Sequence, residues 1–257
     1  MFYDRQNELK RLNERYVSQT TQLLVIYGRR RVGKTALLKK FIENKPHIYY
    51  LADLSSEKEQ LESFSERIQM YSGDRSLINN PFSSWGALFA YLGNLAQKSR
   101  LVVVIDEYQY LHTSNKAISS LLQKSWDEYL KDSKIFLVLC GSYVSFIEKE
   151  LLAYKSHLYG RRSGQFLINP LSFSDAVRFF PDYDAVAKIS VYGILGGIPA
   201  YLQQFNPKWS IKKNILHNIL QPDAFLYNEP QFLLMQELRE PRNYFAILKA
   251  IALGHTR

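Results

Sequence analysis

A chain of 257 residues, 46% apolar and 22% charged, has the composition of a globular protein and room for one large or two modest domains. No apolar run approaches the roughly 20 residues of a membrane-spanning helix. The opening MFYDRQNELKRL is too charged for a secretory leader, and the one cysteine, Cys140, cannot form an internal disulfide, so a cytoplasmic setting is expected. The net charge of +9 permits contact with an anionic partner such as DNA, but Arg29, Arg30, Arg31, Lys34, Lys39 and Lys40 share one segment and other basic residues are scattered. Charge alone therefore does not establish a nucleic-acid ligand.

In chain order, Gln22-Leu-Leu-Val-Ile-Tyr27 reads as a buried strand. Gly28-Arg-Arg-Arg-Val-Gly33-Lys34-Thr35 follows and fits G-x-x-x-x-G-K-[ST] at every fixed position; from Ala36 the apolar residues recur at helical spacing. A strand, a glycine-framed loop and a helix start form a phosphate cradle. Gly28 and Gly33 let successive backbone N–H groups turn inward, and the helix N-terminus adds its positive end. Gly28, Arg29, Arg30, Arg31, Val32, Gly33, Lys34, Thr35 and Ala36 are thus the expected nucleotide-binding run. Lys34 would reach the β- and γ-phosphates, and the Thr35 hydroxyl would sit on Mg²⁺.

His47-Ile-Tyr-Tyr-Leu-Ala52 reads as a second strand, and 57–71 and 83–98 as helices. Leu101-Val-Val-Val-Ile105 is an all-apolar run suited to a strand buried on both faces of a parallel sheet. The spacing predicts an amphipathic helix over 115–130, with Ile118, Leu121, Leu122 and Tyr129 on one stripe. Ile135–Cys140 and 165–168 complete the strands. Beyond residue 171 strand signals stop, Ser172-x-x-Asp175 has the form of a capping box, and helices separated by Gly196-Gly197 and prolines follow. The fold class expected is a parallel-sheet α/β domain over 1–171 followed by an all-helical domain, with ligand at the carboxyl ends of the strands.

Asp106-Glu107 closes the third strand. A carboxylate there would hold Mg²⁺ with Thr35, and Glu107 beside it could activate a water. Ser142, after the fourth strand, either touches the γ-phosphate or the attacking water, or caps the helix carrying Val144, Ile147 and Leu151. Arg161 and Arg162, just before the last strand, either stabilise transition-state charge in their own or a neighbouring subunit, or form a solvated basic turn. Cys140 lies in an apolar strand and reads as an inert core residue. No His/Cys/Asp cluster has zinc spacing, and no serine or cysteine hydrolase constellation is present.

Taken together, GRRRVGKT, VIDEYQYL, LCGSY and LYGRR resemble, in content and order, the archaeal ATPase family of the AAA-related STAND class of P-loop NTPases. Phe2-Tyr-Asp-Arg5-x-x-Glu8-Leu9 is similar to its N-terminal signature, which implies that Tyr3 and Arg5 lie near adenine. Gly196-Gly-Ile-Pro-Ala resembles its Gly-x-Pro motif, implying a helical lid over 172–239 with Pro199 near the base. Glu240–Gly254 resembles the opening helix of a winged-helix domain, here 240–257 and expected to continue past Arg257. The resemblance implies an ATPase using ATP/ADP and Mg²⁺, acting on a nucleic-acid or protein partner or self-associating, with any DNA contact made mainly by parts beyond this chain. An ATP-dependent switch or scaffold with negligible turnover needs the same site. Phosphoryl transfer to a small molecule is disfavoured by Glu107 and by the lack of an arginine-rich lid.

Overall fold

The structure is a computed structural model that describes residues 5–238 and 240–254, with the backbone alone for Gln236 and Glu237. It divides into two compact units, 1–169 and 170–257.

The first unit is built on five strands, β1 (Gln22–Tyr27), β2 (His47–Leu51), β3 (Leu101–Asp106), β4 (Ile135–Gly141) and β5 (Gly164–Leu167). All neighbouring pairs are parallel, and the order across the sheet is β2-β3-β4-β1-β5. Alternation of side chains explains why three strands are apolar at nearly every position. Leu23, Val25, Val103, Ile105, Leu137 and Leu139 enter one core, whereas Leu24, Ile26, Val102, Val104, Phe136 and Val138 enter the other. The second core is covered by α1 (Gln6–Val17) through Leu12 and by α2 (Lys34–Ile42) through Leu37, Leu38 and Phe41.

The first core is covered by α3 (Glu57–Ser72) and by the helix Trp85–Lys98, which contribute Leu61, Phe64, Ile68, Trp85, Leu88 and Phe89. A capping box between Ser56 and Glu59 starts α3, and Gly73 at φ 72° ends it. The single helix expected over 115–130 is different in form. Helix Ile118–Ser125 widens into a π turn, Trp126–Leu130, marked by Lys131 N–H donating to the Trp126 carbonyl at 3.0 Å. The wide turn sets Trp126 and Leu130 into the core and leaves Tyr129 45% exposed, so Tyr129 is not on the buried stripe.

The second unit is helical throughout its described residues, and Leu171, Phe180, Val191, Leu195, Leu202, Phe205 and Leu226 form its core. Ser172 Oγ accepts from Asp175 N–H at 3.4 Å. Gly196 ends helix Ala185–Leu195 at φ 62°, and a Cβ on Gly197 would lie 1.9 Å from the Leu171 carbonyl oxygen, so both glycines are required by the backbone path. Helix Pro241–Ala252 buries none of its side chains. Among the described residues, no helix is long and apolar enough to cross a membrane.

Candidate nucleotide site

The phosphate loop leaves the sheet at the end of β1 under steric constraint. Ile168 N–H donates to the Tyr27 carbonyl at 2.7 Å, and a Cβ on Gly28 would lie 2.3 Å from the Ile168 carbonyl oxygen. Gly28 (φ 153°), Arg31 (φ 66°) and Gly33 (φ 96°) then curl the chain. Gly33 is the N-cap of α2 with no side-chain capping bond, so the first N–H groups of that helix face an anion-binding concavity. Val32 is buried in the core, which leaves only its backbone for a ligand, while Arg29, Thr35 and Ala36 are exposed.

Lys34 is 6% exposed, and its Nζ donates to the carbonyls of Gly28 (2.8 Å) and Arg29 (2.9 Å). Burial holds its pKa below the ordinary lysine value, partly offset by Cys140, Glu107 and Asp106. Arg5 supports the loop from outside: its guanidinium donates to Val32 O at 3.0 Å and Asn169 O at 2.6 Å and pairs with Glu8 at 3.2 Å. Tyr3, expected beside Arg5 at the adenine, lies outside the described residues.

With β4 between β1 and β3, Asp106 comes to the same edge of the sheet as the loop. It is 1% exposed, and three donors meet its two oxygens. Thr35 Oγ1 donates to Oδ2 at 3.0 Å, the Tyr49 hydroxyl donates to the same oxygen, and Glu107 N–H donates to Oδ1 at 2.9 Å. Burial and the Asp106 carboxylate push the Tyr49 phenol well above its ordinary value. Cys140 is fully buried in the second core, and burial, with the Asp106 carboxylate, pushes its thiol up. A carboxylate with a hydroxyl beside it is a hard-oxygen donor set that could hold Mg²⁺ in company with phosphate oxygens. Among the described residues no group of three or more His, Cys, Asp or Glu is placed to hold a metal ion by itself.

Glu107 stands in the left-handed region, φ 55°, a conformation that costs a non-glycine residue about 1–2 kcal/mol. Tyr108 N–H donating to the Cys140 carbonyl at 2.9 Å ties this turn to β4. Glu107 Oε2 accepts from Ser142 Oγ at 2.8 Å and from Gln109 Nε2, and Gln109 Nε2 also reaches Ser142 Oγ at 3.2 Å. Ser142 therefore does not cap the next helix; the N-cap of Val144–Ile147 is Tyr143, without a side-chain bond. The sequence signal for Gln109 was the polar residue two positions after Glu107. Tyr49 had no signal, since its meeting with Asp106 depends on β2 pairing with β3, Leu51 opposite Asp106.

Arg30 leaves the loop toward Tyr110 and Tyr143, donating to their hydroxyls at 3.0 and 3.2 Å, with its guanidinium 5.2 Å from the Tyr143 ring centre. Arg161 and Arg162 are not brought to the loop of their own chain. Ser163 N–H bonds the Leu23 carbonyl, five positions before Gly28, or roughly 16 Å along a strand. Arg161 grips Asp127 at 2.6 Å, and Arg162 donates to Leu152 O and Gln165 Oε1. Pro199 opens the helix Pro199–Leu202 in the second unit.

Known proteins share both this fold and these sequence segments. The chain is 36% identical over 256 residues to an uncharacterized protein of Methanocaldococcus jannaschii, covering 99% of this chain and 55% of that one. It thus spans about half the length of that relative. An uncharacterized ATP-binding protein of the same organism is 51% identical over 45 residues, 18% of this chain and 76% of that one. Among solved structures, the Walker-type ATPase of Pyrococcus abyssi matches with TM-score 0.66 at 24% identity, covering 98% of this chain and 80% of that one. The ORC2 protein of Aeropyrum pernix in its ADP form matches with TM-score 0.56 at 16% identity, over 77% and 60% of the two chains, a likeness of fold. Residues 2–205 match the family model described as an ATPase domain predominantly from Archaea, and the chain belongs to that family.

Proposed function

We propose that the first unit binds Mg-ATP and hydrolyses it. The observation that carries this reading is the meeting of Thr35 Oγ1 with Asp106 Oδ2 at 3.0 Å, beside a loop whose lysine is already drawn onto it. Loop N–H groups and Lys34 would hold the β- and γ-phosphates; Thr35 and Asp106 would hold Mg²⁺, which would supply neutralisation of phosphate charge. Glu107 orients the attacking water and accepts its proton, and Ser142 lies where it can meet that water or the γ-phosphate. In the same reading the chain is of the AAA-related STAND class, Tyr3 and Arg5 serve the adenine, the second unit is a helical lid whose Gly-x-Pro motif carries Pro199, and helix Pro241–Ala252 opens a winged-helix domain. Turnover would be coupled to a nucleic-acid or protein partner.

The test is Glu107→Gln, measured by calorimetric ATP titration and by steady-state phosphate release. An amide keeps the shape but cannot take a proton, so binding should persist while turnover falls by roughly 10²–10⁴-fold. Turnover at the parental rate would remove Glu107 from the chemistry. Tight ATP binding by a parent protein that shows no turnover would favour the nucleotide-dependent switch.

A further inference from the structure

The hydrogen bonds on Glu107 are unevenly distributed. Ser142 Oγ and Gln109 Nε2 both donate to Oε2, and among the described residues nothing donates to Oε1. Gln109 is 2% exposed, at the first position of helix Gln109–Ser114, and its Nε2 bridges Glu107 and Ser142. The orientation of its amide is fixed by chemistry: reversed, the amide oxygen would face the carboxylate oxygen with no proton between them. The amide also occupies a prepared space, since a Cβ on Gly141 would lie 2.8 Å from Gln109 Oε1. The left-handed turn at Glu107 places the carboxylate and the amide two residues later on the same small patch.

We infer that Gln109 is a positioning residue for Glu107: it pins Oε2 together with Ser142, so that Oε1 is the oxygen that accepts the proton of the attacking water. This rests on the reading of Glu107 as the base. The reasoning is geometric. A carboxylate on a freely rotating side chain presents either oxygen in many directions, whereas one tied at Oε2 by two donors presents the other along a single line. Misplacing a reacting group by about an ångström can cost about 100-fold in rate. Ser142 alone leaves the carboxylate one pivot, and Gln109 removes it.

The experiment uses Gln109→Met, which keeps the length and bulk of the side chain and deletes the donor. Steady-state ATP hydrolysis, ATP affinity by calorimetry and the thermal midpoint are measured in the parent, Gln109→Met, Glu107→Gln and the double variant. The expected result is a kcat roughly 10–100-fold lower in Gln109→Met, with KM and ATP affinity within about twofold of the parent. In the Glu107→Gln background the same substitution should add nothing, because a residue that acts through Glu107 has nothing left to position. A parental kcat in Gln109→Met, or an equal loss in both backgrounds, overturns the inference and leaves Glu107 as base intact. Parental turnover in Glu107→Gln overturns the base reading and the inference with it. Should Gln109→Met fail to fold, Gln109→Leu also deletes the donor without adding a charge, and the same loss or its absence decides the matter.

Discussion

Tyr49→Phe removes one oxygen from a side chain that strand-end motifs do not point to, and its consequence can be sized from the structure. The hydroxyl donates to Asp106 Oδ2, the oxygen that Thr35 also meets, and Asp106 is 1% exposed, so water has little room to replace the lost donor. A hydrogen bond to a buried charged group contributes about 1.5–3 kcal/mol. At about 1.4 kcal/mol per tenfold this corresponds to roughly 10–150-fold in the Mg²⁺ needed for half-maximal hydrolysis. The loss of a residue that orients a metal ligand typically costs about 10–100-fold in metal affinity, so two routes agree. The assay is a Mg²⁺ titration of steady-state phosphate release at saturating ATP, with kcat at saturating Mg²⁺ changing little. Burial and Asp106 raise the Tyr49 phenol, so it remains a protonated donor and the parental curve should not lose Mg²⁺ sensitivity between about pH 7 and 9. Superimposable Mg²⁺ curves for parent and variant would refute the argument and detach Tyr49 from the metal site.

Lys34→Ala should abolish or severely weaken ATP binding in a calorimetric titration. Because burial lowers the Lys34 pKa, the unfolded chain binds that proton more readily just below about pH 10.5, so parental stability should gain a component there as pH rises that the variant lacks in denaturant melts. Arg161→Ala and Arg162→Ala should each hydrolyse normally as isolated chains if these residues only brace the turn. If they act across an interface, each should be slow alone and recover when mixed with Lys34→Ala, and light scattering should show an oligomer. Duplex DNA should bind this chain weakly, without sequence preference and with steep salt dependence, as expected of contacts between a +9 charge and phosphates. Salt-resistant, sequence-specific binding in an electrophoretic titration would contradict that.

The strands were legible because burial on both faces of a parallel sheet demands uninterrupted apolar runs, and β1, β3 and β4 each begin where their runs do. The π turn at Trp126–Leu130 was not, since helical spacing says nothing of a local widening that moves Tyr129 outward. The phosphate loop and the Asp106-Glu107 pair stand out as short motifs whose residue order alone places them at strand ends. The residues that hold those motifs in place do not. Tyr49 reaches Asp106 through strand register, Arg5 reaches Val32 and Asn169 across 27 and 164 positions, and Gln109 reaches Ser142 across 33. Such contacts depend on how distant segments align, a property that no local pattern carries.

The strand order has a consequence for how the chain is made. β1 lies between β4 and β5, and Gln22 aligns with Phe136, so 136 − 22 = 114 positions separate it from its first partner. At synthesis rates of about 5–20 residues per second, this run waits on the order of 6–23 seconds before the ribosome delivers β4. During that interval Leu-Leu-Val-Ile has unpaired edges on both sides and no charge to keep neighbours away, and Leu-Val-Val-Val-Ile of β3, with β2 on one side, leaves its other edge open. α1 and α2 are made early and belong to the core on one face of β1, and α3 and helix Trp85–Lys98, also made before β4, belong to the core on the other. Nascent chains stalled before Ile135 should therefore be sticky and dependent on chaperones, and release from that state should coincide with emergence of the fourth strand.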